Sequence, residues 1–403
     1  MRYGIFAAVL SLFLGGKMAA AERFPFSRHQ EYAAGTIRPA QFSQERQDAD
    51  VARYYDRWKG DFLVRENTGS RIAFGKSGSE HRRTVSEGQG YGLIIVALMA
   101  GHDPEAREIF DALWKFSRAH PSHIETRLMA WEVPGESGDS AFDGDMDIAY
   151  GLLLADRQWG SEGTMNYRAE ALRVIAGILA AEIGPESHLP MLGDWVRGSK
   201  YTQWQTRPSD FAPGHFRAFR RAAGDSHWDE VVQATSQVIE NLQSSRSPLT
   251  GLLPDFAVLD ADGRARPAPP KFLEAKTDGD YSYNACRIPW RLATDALLNG
   301  DVRSKETAGK LSLWIEKSAS GEPEKIRAGY HLNGTQLKGG NYFTGAFAAP
   351  FGVAAMLNPS QQAWLDRLYA AVCARHEGYY EDTVTLLSLL VMTGHFWDPT
   401  TMK

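Results

Sequence analysis

The sequence predicts an all-α protein folded as an (α/α)6 barrel, and three observations carry that prediction. Segments of helical period follow one another about twelve times, strand-like alternation is sparse, and the connections fall into a long class and a short class. The helical patterns lie near 46–64, 88–101, 104–119, 145–159, 165–183, 210–223, 226–243, 285–299, 302–317, 345–357, 360–375 and 380–394. One kind is apolar throughout and rich in small residues, as in Gly88–Ala100, Asp145–Ala155, Ala346–Met356 and Asp382–Gly394. The other kind is amphipathic, as in Pro104–His120, Asn166–Gly184 and Trp228–Gln243. A helix apolar all round is buried, and an amphipathic one covers it. The two kinds alternate about six times, which an inner ring of helices inside an outer ring requires. Long loops at 65–87, 120–144, 184–209, 244–284 and 318–344 lead into the small-residue helices. Long loops gathered at one end of a barrel are where a site is built.

The remaining composition sets limits. With 43% hydrophobic and 23% charged residues, the chain has an ordinary globular profile. A net charge of −5 offers no basic patch for nucleic acid. The aromatic content of 11%, with eleven Trp, is on the high side; part of it suits a core and part suits stacking on the C–H faces of sugars. Arg2, the apolar run Tyr3–Leu14 and the small residues Ala19–Ala21 form the pattern of a secretory signal peptide over 1–21, despite Lys17. The run is short for a bilayer span, so the product is expected to be secreted or periplasmic, with no membrane anchor after cleavage. Residues 22–45, with Pro25 and Pro39, read as an irregular arm, and no linker divides the chain after it. We therefore expect one domain over 22–403, acting as a monomer. Cys286 and Cys373 lie in apolar helical contexts and read as buried thiols. No Cys/His cluster has zinc spacing, so neither metal nor other cofactor is expected.

Three polar motifs stand where long loops become apolar helices. In Val85–Gly92 (VSEGQGYG), Ser86 is placed to cap the helix and Glu87 to face the barrel mouth. Three glycines in five residues weaken a helix, and make sense where the backbone passes close to another helix or a substrate. In Ser140–Ala149, Asp143, Asp145 and Asp147 fail the calcium-loop pattern. Asp145 and Asp147 read as first-turn acids, and Asp143 as a residue just before the helix, pointing into a cleft. In Asp280–Arg291, Arg287 is suited to hold a carboxylate such as Asp143 in a bidentate pair.

These motifs, SEGQGYG, AFDGDMDIAYGLLLADRQWG and YNACRIPWR, resemble in order and spacing those of glycoside hydrolase family 8, over roughly residues 45–395. The resemblance implies an (α/α)6 barrel and endo-acting hydrolysis of a β-1,4-linked polysaccharide with inversion, the substrate being a β-glucan, cellulose, chitosan or xylan. It implies that Glu87 is the proton donor, that Asp143 holds the distorted sugar, and that Trp131 in MAWEV stacks on a sugar. Trp195, Tyr201, Trp204 and Tyr342 are further candidate platforms, and Asn284 and Arg287 candidate substrate contacts.

One position departs from the commoner pattern, which has Asp as general base where this chain has Asn284. A neutral amide cannot take a proton from water at a useful rate. The Asn version resembles a branch whose base is a Glu in a loop just upstream. Here that loop is Lys271–Lys276 (KFLEAK) and its Glu is Glu274, with Asp278 and Asp280 next in order. Two alternatives carry different expectations. One is a cellulase that serves cellulose secretion. The other is a carbohydrate-binding protein that kept the barrel and lost its base.

Overall fold

The computed structural model describes residues 22–67 and 69–401, so the leader expected at 1–21 lies outside the described residues. In chain order the helices are α1 (Gln44–Phe62), α2 (Gly78–Arg82), α3 (Ser86–Leu98), α4 (Ala106–Ala119), α5 (Phe142–Trp159), α6 (Tyr167–Ala181) and α7 (Pro213–Ala223). They continue with α8 (His227–Ser245), α9 (Ile288–Asn299), α10 (Val302–Ser318), α11 (Gly345–Ala355), α12 (Gln362–Cys373) and α13 (Tyr379–Met392). All twelve expected helices are present, and α2 is an added single turn in the first long loop.

The packing closes a ring. Helix α3 packs on α5, α5 on α7, α7 on α9, α9 on α11, α11 on α13, and α13 returns to α3. Outside it, α4 covers α3, α6 covers α5, α8 covers α7, α10 covers α9, α12 covers α11 and α1 covers α13. This is the (α/α)6 barrel. Its two layers follow from side-chain size and polarity. Every residue of α3 except Glu87 is buried, as is every residue of α11. Helix α4 buries Ala106, Ile109, Phe110, Leu113 and Trp114, one stripe at helical spacing. Glycine allows the inner helices to meet. A β-carbon at Gly90 would stand 2.6 Å from Asp147 Cβ, and one at Gly144 would stand 2.1 Å from Ser86 Oγ. The glycines of the first motif thus serve the close approach of α3 to neighbouring groups.

The inner helices run parallel, so their N-termini share one end, where the long connections gather. Short strands brace these loops. β1 (Leu63–Glu66) pairs with β2 (Gly69–Ile72), β3 (Thr84–Val85) with β4 (Glu132–Val133), and β5 (Gln205–Thr206) with β6 (Ala257–Leu259), which also pairs with β7 (Ala265–Pro267). The arm 22–43 crosses the opposite end. Its amides Phe26, Gln30, Ala33 and Ile37 donate to the carbonyls of Ala100, Gly394, Leu297 and Met356, at or near the C-termini of four inner helices. Among the described residues no helix is long and apolar enough to cross a membrane. Both cysteines are free thiols, as expected, although Cys373 is only half-buried.

Three local expectations are corrected. Ser86 is the first residue of α3 and makes no capping hydrogen bond; Val85 is the N-cap. Helix α5 begins at Phe142, so Asp143 lies inside its first turn and not before it. Asp147 lies beyond that turn and is a buried partner of Arg291 and His215. Asp145 does belong to the first turn, and it accepts the Met129 amide at 2.8 Å.

Candidate active site

A cleft of about 520 Å³ opens at the end of the barrel that carries the long loops. Glu87, Trp131, Asp143, Arg207, Glu274 and Asn284 all line it. Behind its lining lies Arg287, a fully buried guanidinium just before α9; it does not line the cleft and holds cleft residues in place, where the sequence had suggested a substrate contact. Nη1 of Arg287 donates to Glu87 Oε2 at 2.5 Å, to Asp143 Oδ2 at 2.8 Å and to the Tyr91 hydroxyl at 3.3 Å. Nη2 donates to Ser209 Oγ at 2.8 Å and to Asn284 Oδ1 at 3.0 Å. A buried cation is costly unless its donors are satisfied, and here inner-helix and loop groups satisfy them. Arg287 thus draws Glu87, Asp143 and Asn284 to one point. Its contact with Asp143 uses one oxygen and is not the expected bidentate pair. The other oxygen, Oδ1, faces Arg207 Nη2 at 2.9 Å.

The two inner-helix carboxylates are set apart electrostatically. Burial pushes the Glu87 carboxyl up to about 7, against the pull of Arg287, and the anion of Asp143 adds to the rise. Its side chain is 16% exposed, facing the cleft. Burial also acts on Asp143, but Arg207 and Arg287 together outweigh it and hold this carboxyl well below the usual range. One carboxyl is therefore placed to carry a proton near neutrality, and the other stays ionised.

Glu274 reaches the cleft from the loop between α8 and α9. Asn284 Nδ2 donates to Glu274 Oε2 at 2.9 Å, so the two ends of the Asn284 amide join the Arg287 cation to the Glu274 anion. An Asp at 284 would put two carboxylates in that contact. The turn under Glu274 is built around Asp278. Its buried carboxylate accepts the amides of Leu273 at 2.7 Å, Glu274 at 3.0 Å and Ala275 at 2.7 Å. Lys271 N closes the turn on Ala275 O at 2.7 Å. Asp278 is thus engaged in holding the loop, and Asp280 bonds His331 at 2.8 Å. Neither stands among the residues that line the cleft.

The aromatic candidates divide. Trp131 lies on the cleft wall beside Glu87, because its carbonyl accepts the Ser86 amide at 2.8 Å, and its Nε1 donates to Ser137 at 2.9 Å. Tyr342 lies at the rim, 46% exposed, and its hydroxyl meets that of Tyr283, a cleft residue, at 2.8 Å. Tyr201 does not line the cleft. Its hydroxyl donates to Phe272 O at 2.9 Å, and its ring packs edge-on against Trp195 and Phe272, which anchors the Glu274 loop. Trp204 lies in a different hollow altogether. The sequence reading did not single out Arg207, Phe74, Arg83 or Tyr380, all of which line the cleft. Arg207 is one residue of a long loop, and only the fold brings it to Asp143.

Comparisons with known proteins identify the family of the chain. Residues 26–394 match the model of glycosyl hydrolases family 8. The chain is 41% identical over 384 residues to a β-glucanase of Niallia circulans, covering 94% of this chain and 92% of that one. It is 39% identical to an endoglucanase of Bacillus sp. strain KSM-330, covering 94% and 83%. Among solved structures, the apo β-1,3-1,4-glucanase of Paenibacillus sp. X4 superposes with a TM-score of 0.89 at 41% identity, over 93% of this chain and 99% of that one. The exo-oligoxylanase Rex8A of Paenibacillus barcinonensis shares the fold, with a TM-score of 0.72 at 17% identity. The chain belongs to glycosyl hydrolase family 8 and is a glycoside hydrolase.

Proposed function

We propose that this glycoside hydrolase is an exported, endo-acting β-glucanase that cleaves β-1,4 bonds in mixed-linkage or cellulosic glucan, in one step with inversion. The observation that carries the chemistry is the pairing within one cleft of Glu87, whose carboxyl is raised to about 7, with Glu274, a carboxylate on a braced loop. In the proposed step a water attacks the anomeric carbon while Glu274 takes its proton. The glycosidic C–O bond breaks and the leaving oxygen takes the proton of Glu87. Exchange with solvent then returns Glu87 to the acid form and Glu274 to the anion. Asp143, kept ionised by two arginines, accepts hydrogen bonds from sugar hydroxyls and favours a distorted ring. Trp131 supplies an apolar face for a neighbouring sugar.

The substrate class rests on the names of the relatives: a β-glucanase, an endoglucanase and a β-1,3-1,4-glucanase. Export rests on the charged, apolar and small-residue pattern of residues 1–21. A barrel that had lost its base would lack a carboxylate near Asn284, and Glu274 supplies one. The test is a hydrolysis panel of mixed-linkage glucan, carboxymethylcellulose, chitosan and xylan, with product size followed over time. We expect the fastest cleavage on mixed-linkage glucan, with early products of mixed length. Activity confined to chitosan or xylan, or release of single sugars from chain ends, would overturn this reading.

A further inference from the structure

A second hollow, about 740 Å³, lies on the flank of the barrel and shares no lining residue with the catalytic cleft. One wall is a face of the outer helix α8, presenting Asp229, Glu230, Gln233, Ala234, Gln237 and Val238. Across from it stand the loop 186–189, Leu259 of β6 and Trp204, which is 37% exposed and precedes β5.

Three features of this trough point to a ligand. First, its chemistry is that of a saccharide groove. Leu189, Ala234, Val238 and Leu259 give an apolar floor, Trp204 gives an aromatic face, and Glu186, Glu230, Gln233 and Gln237 offer both acceptors and donors. A sugar ring presents the complementary pair of surfaces, an apolar C–H face and a ring of hydroxyls. No Lys or Arg is among the lining residues, which disfavours an anionic polymer. Second, the facing loop is held in a fixed shape. Gln203 Oε1 accepts the amides of Glu186 at 2.7 Å and Ser187 at 2.9 Å, and Ser187 Oγ returns a bond to Gln203 O at 2.8 Å. His188 is held in the left-handed region at φ 54°, with Nδ1 3.2 Å from Glu230 Oε2 across the trough. Non-glycine residues in that region cost energy and are kept where the surroundings over-determine them. Third, the trough and the cleft are served by the same stretch of loop. Trp204 O accepts the Leu259 amide at 2.8 Å, and Arg207, three residues on, reaches Asp143.

We propose that this trough is a second, non-catalytic binding site for a β-linked glucan chain, with Trp204 as its stacking platform. It rests on the β-glucanase reading of the cleft. Its role is to hold a polymer near the cleft, so that one binding event assists the other through raised local concentration.

The experiment uses two backgrounds. In Glu87→Gln protein, which holds polymer without cutting it, migration is measured in gels containing mixed-linkage glucan. Trp204→Ala weakens retardation by about two- to tenfold, the range for loss of one stacking contact. Gln237→Arg, an exposed change that fills the trough from α8, gives the same loss and serves if Trp204→Ala does not fold. In otherwise wild-type protein, both substitutions leave kcat/KM on a short soluble oligosaccharide unchanged. Unaltered retardation in both variants overturns the proposal. A parallel fall in oligosaccharide kcat/KM also overturns it, since Trp204 would then belong to the cleft. Failure of the unsubstituted enzyme to cut any β-glucan is a different result, and it sinks the parent reading.

Discussion

Glu87 and Glu274 line the same cleft but are held in opposite ways. Glu87 stands on the first turn of α3, whose every other residue is buried, and Arg287 fixes it from below. Glu274 stands on an exposed loop and is held by one hydrogen bond to its carboxylate and three amide bonds around Asp278. The difference suits the two jobs proposed for them. An acid that must be protonated near neutrality needs burial, which only the packed barrel provides. A base that must be ionised needs access to water and accurate placement, which a braced loop provides. In the proposed mechanism the barrel therefore tunes a proton donor, and the loop positions a proton acceptor.

Breaking the barrel side should have the largest effect. Glu87→Gln keeps the shape and loses the proton, so turnover on unactivated glucan should fall at least about a hundredfold with folding intact. Retention of a tenth of the activity, measured by reducing-end release, would remove Glu87 as the acid. The same tuning sets a pH limb. Glu87 is raised to about 7, so its required acid form is full below that value and is lost as pH rises through it. The kcat/KM profile should fall on its alkaline side near 7, and a profile flat to pH 9 would contradict the assignment.

Breaking the loop's support should cost less. Asp278→Ala frees three amides, and kcat should drop about tenfold with KM nearly unchanged, since the charged acceptor places Glu274 and does not bind sugar. Asp278→Asn, which keeps an acceptor, should recover part of that loss. A rise in KM with unchanged kcat would make the turn a substrate-binding element instead. Tyr201→Phe is the gentlest change. It removes one hydrogen bond to Phe272 O, a net contribution of about 1 kcal/mol, so kcat should fall no more than about fivefold.

The same contrast explains what could be read before the structure. The barrel was legible because small, all-apolar helices and striped helices follow one another in the sequence, and each kind can satisfy its burial in only one layer. Glu87 and Arg287 were legible because polar residues at the start of apolar helices are conspicuous. The start of α5 was misplaced by three residues because its N-cap is Ala141, which makes no capping bond and gives no signal. Arg207 stayed hidden because nothing in a long irregular loop marks which residue will meet a helix far back in the sequence, here at Asp143. Trp204 and Tyr201 were recognisable as aromatics of interest. Composition could not say that one faces a separate trough and the other anchors a loop.

The claim that the loop supplies the base is tested most directly in Glu274→Ala. Without the carboxylate no group deprotonates the attacking water, so hydrolysis should fall by about a hundredfold or more. Azide is a nucleophile that needs no base, and it should restore turnover in proportion to its concentration. The product should be the α-glycosyl azide, seen by proton NMR as inversion of the β bond. Near-wild-type hydrolysis without azide, or a β-configured azide product, would contradict the account.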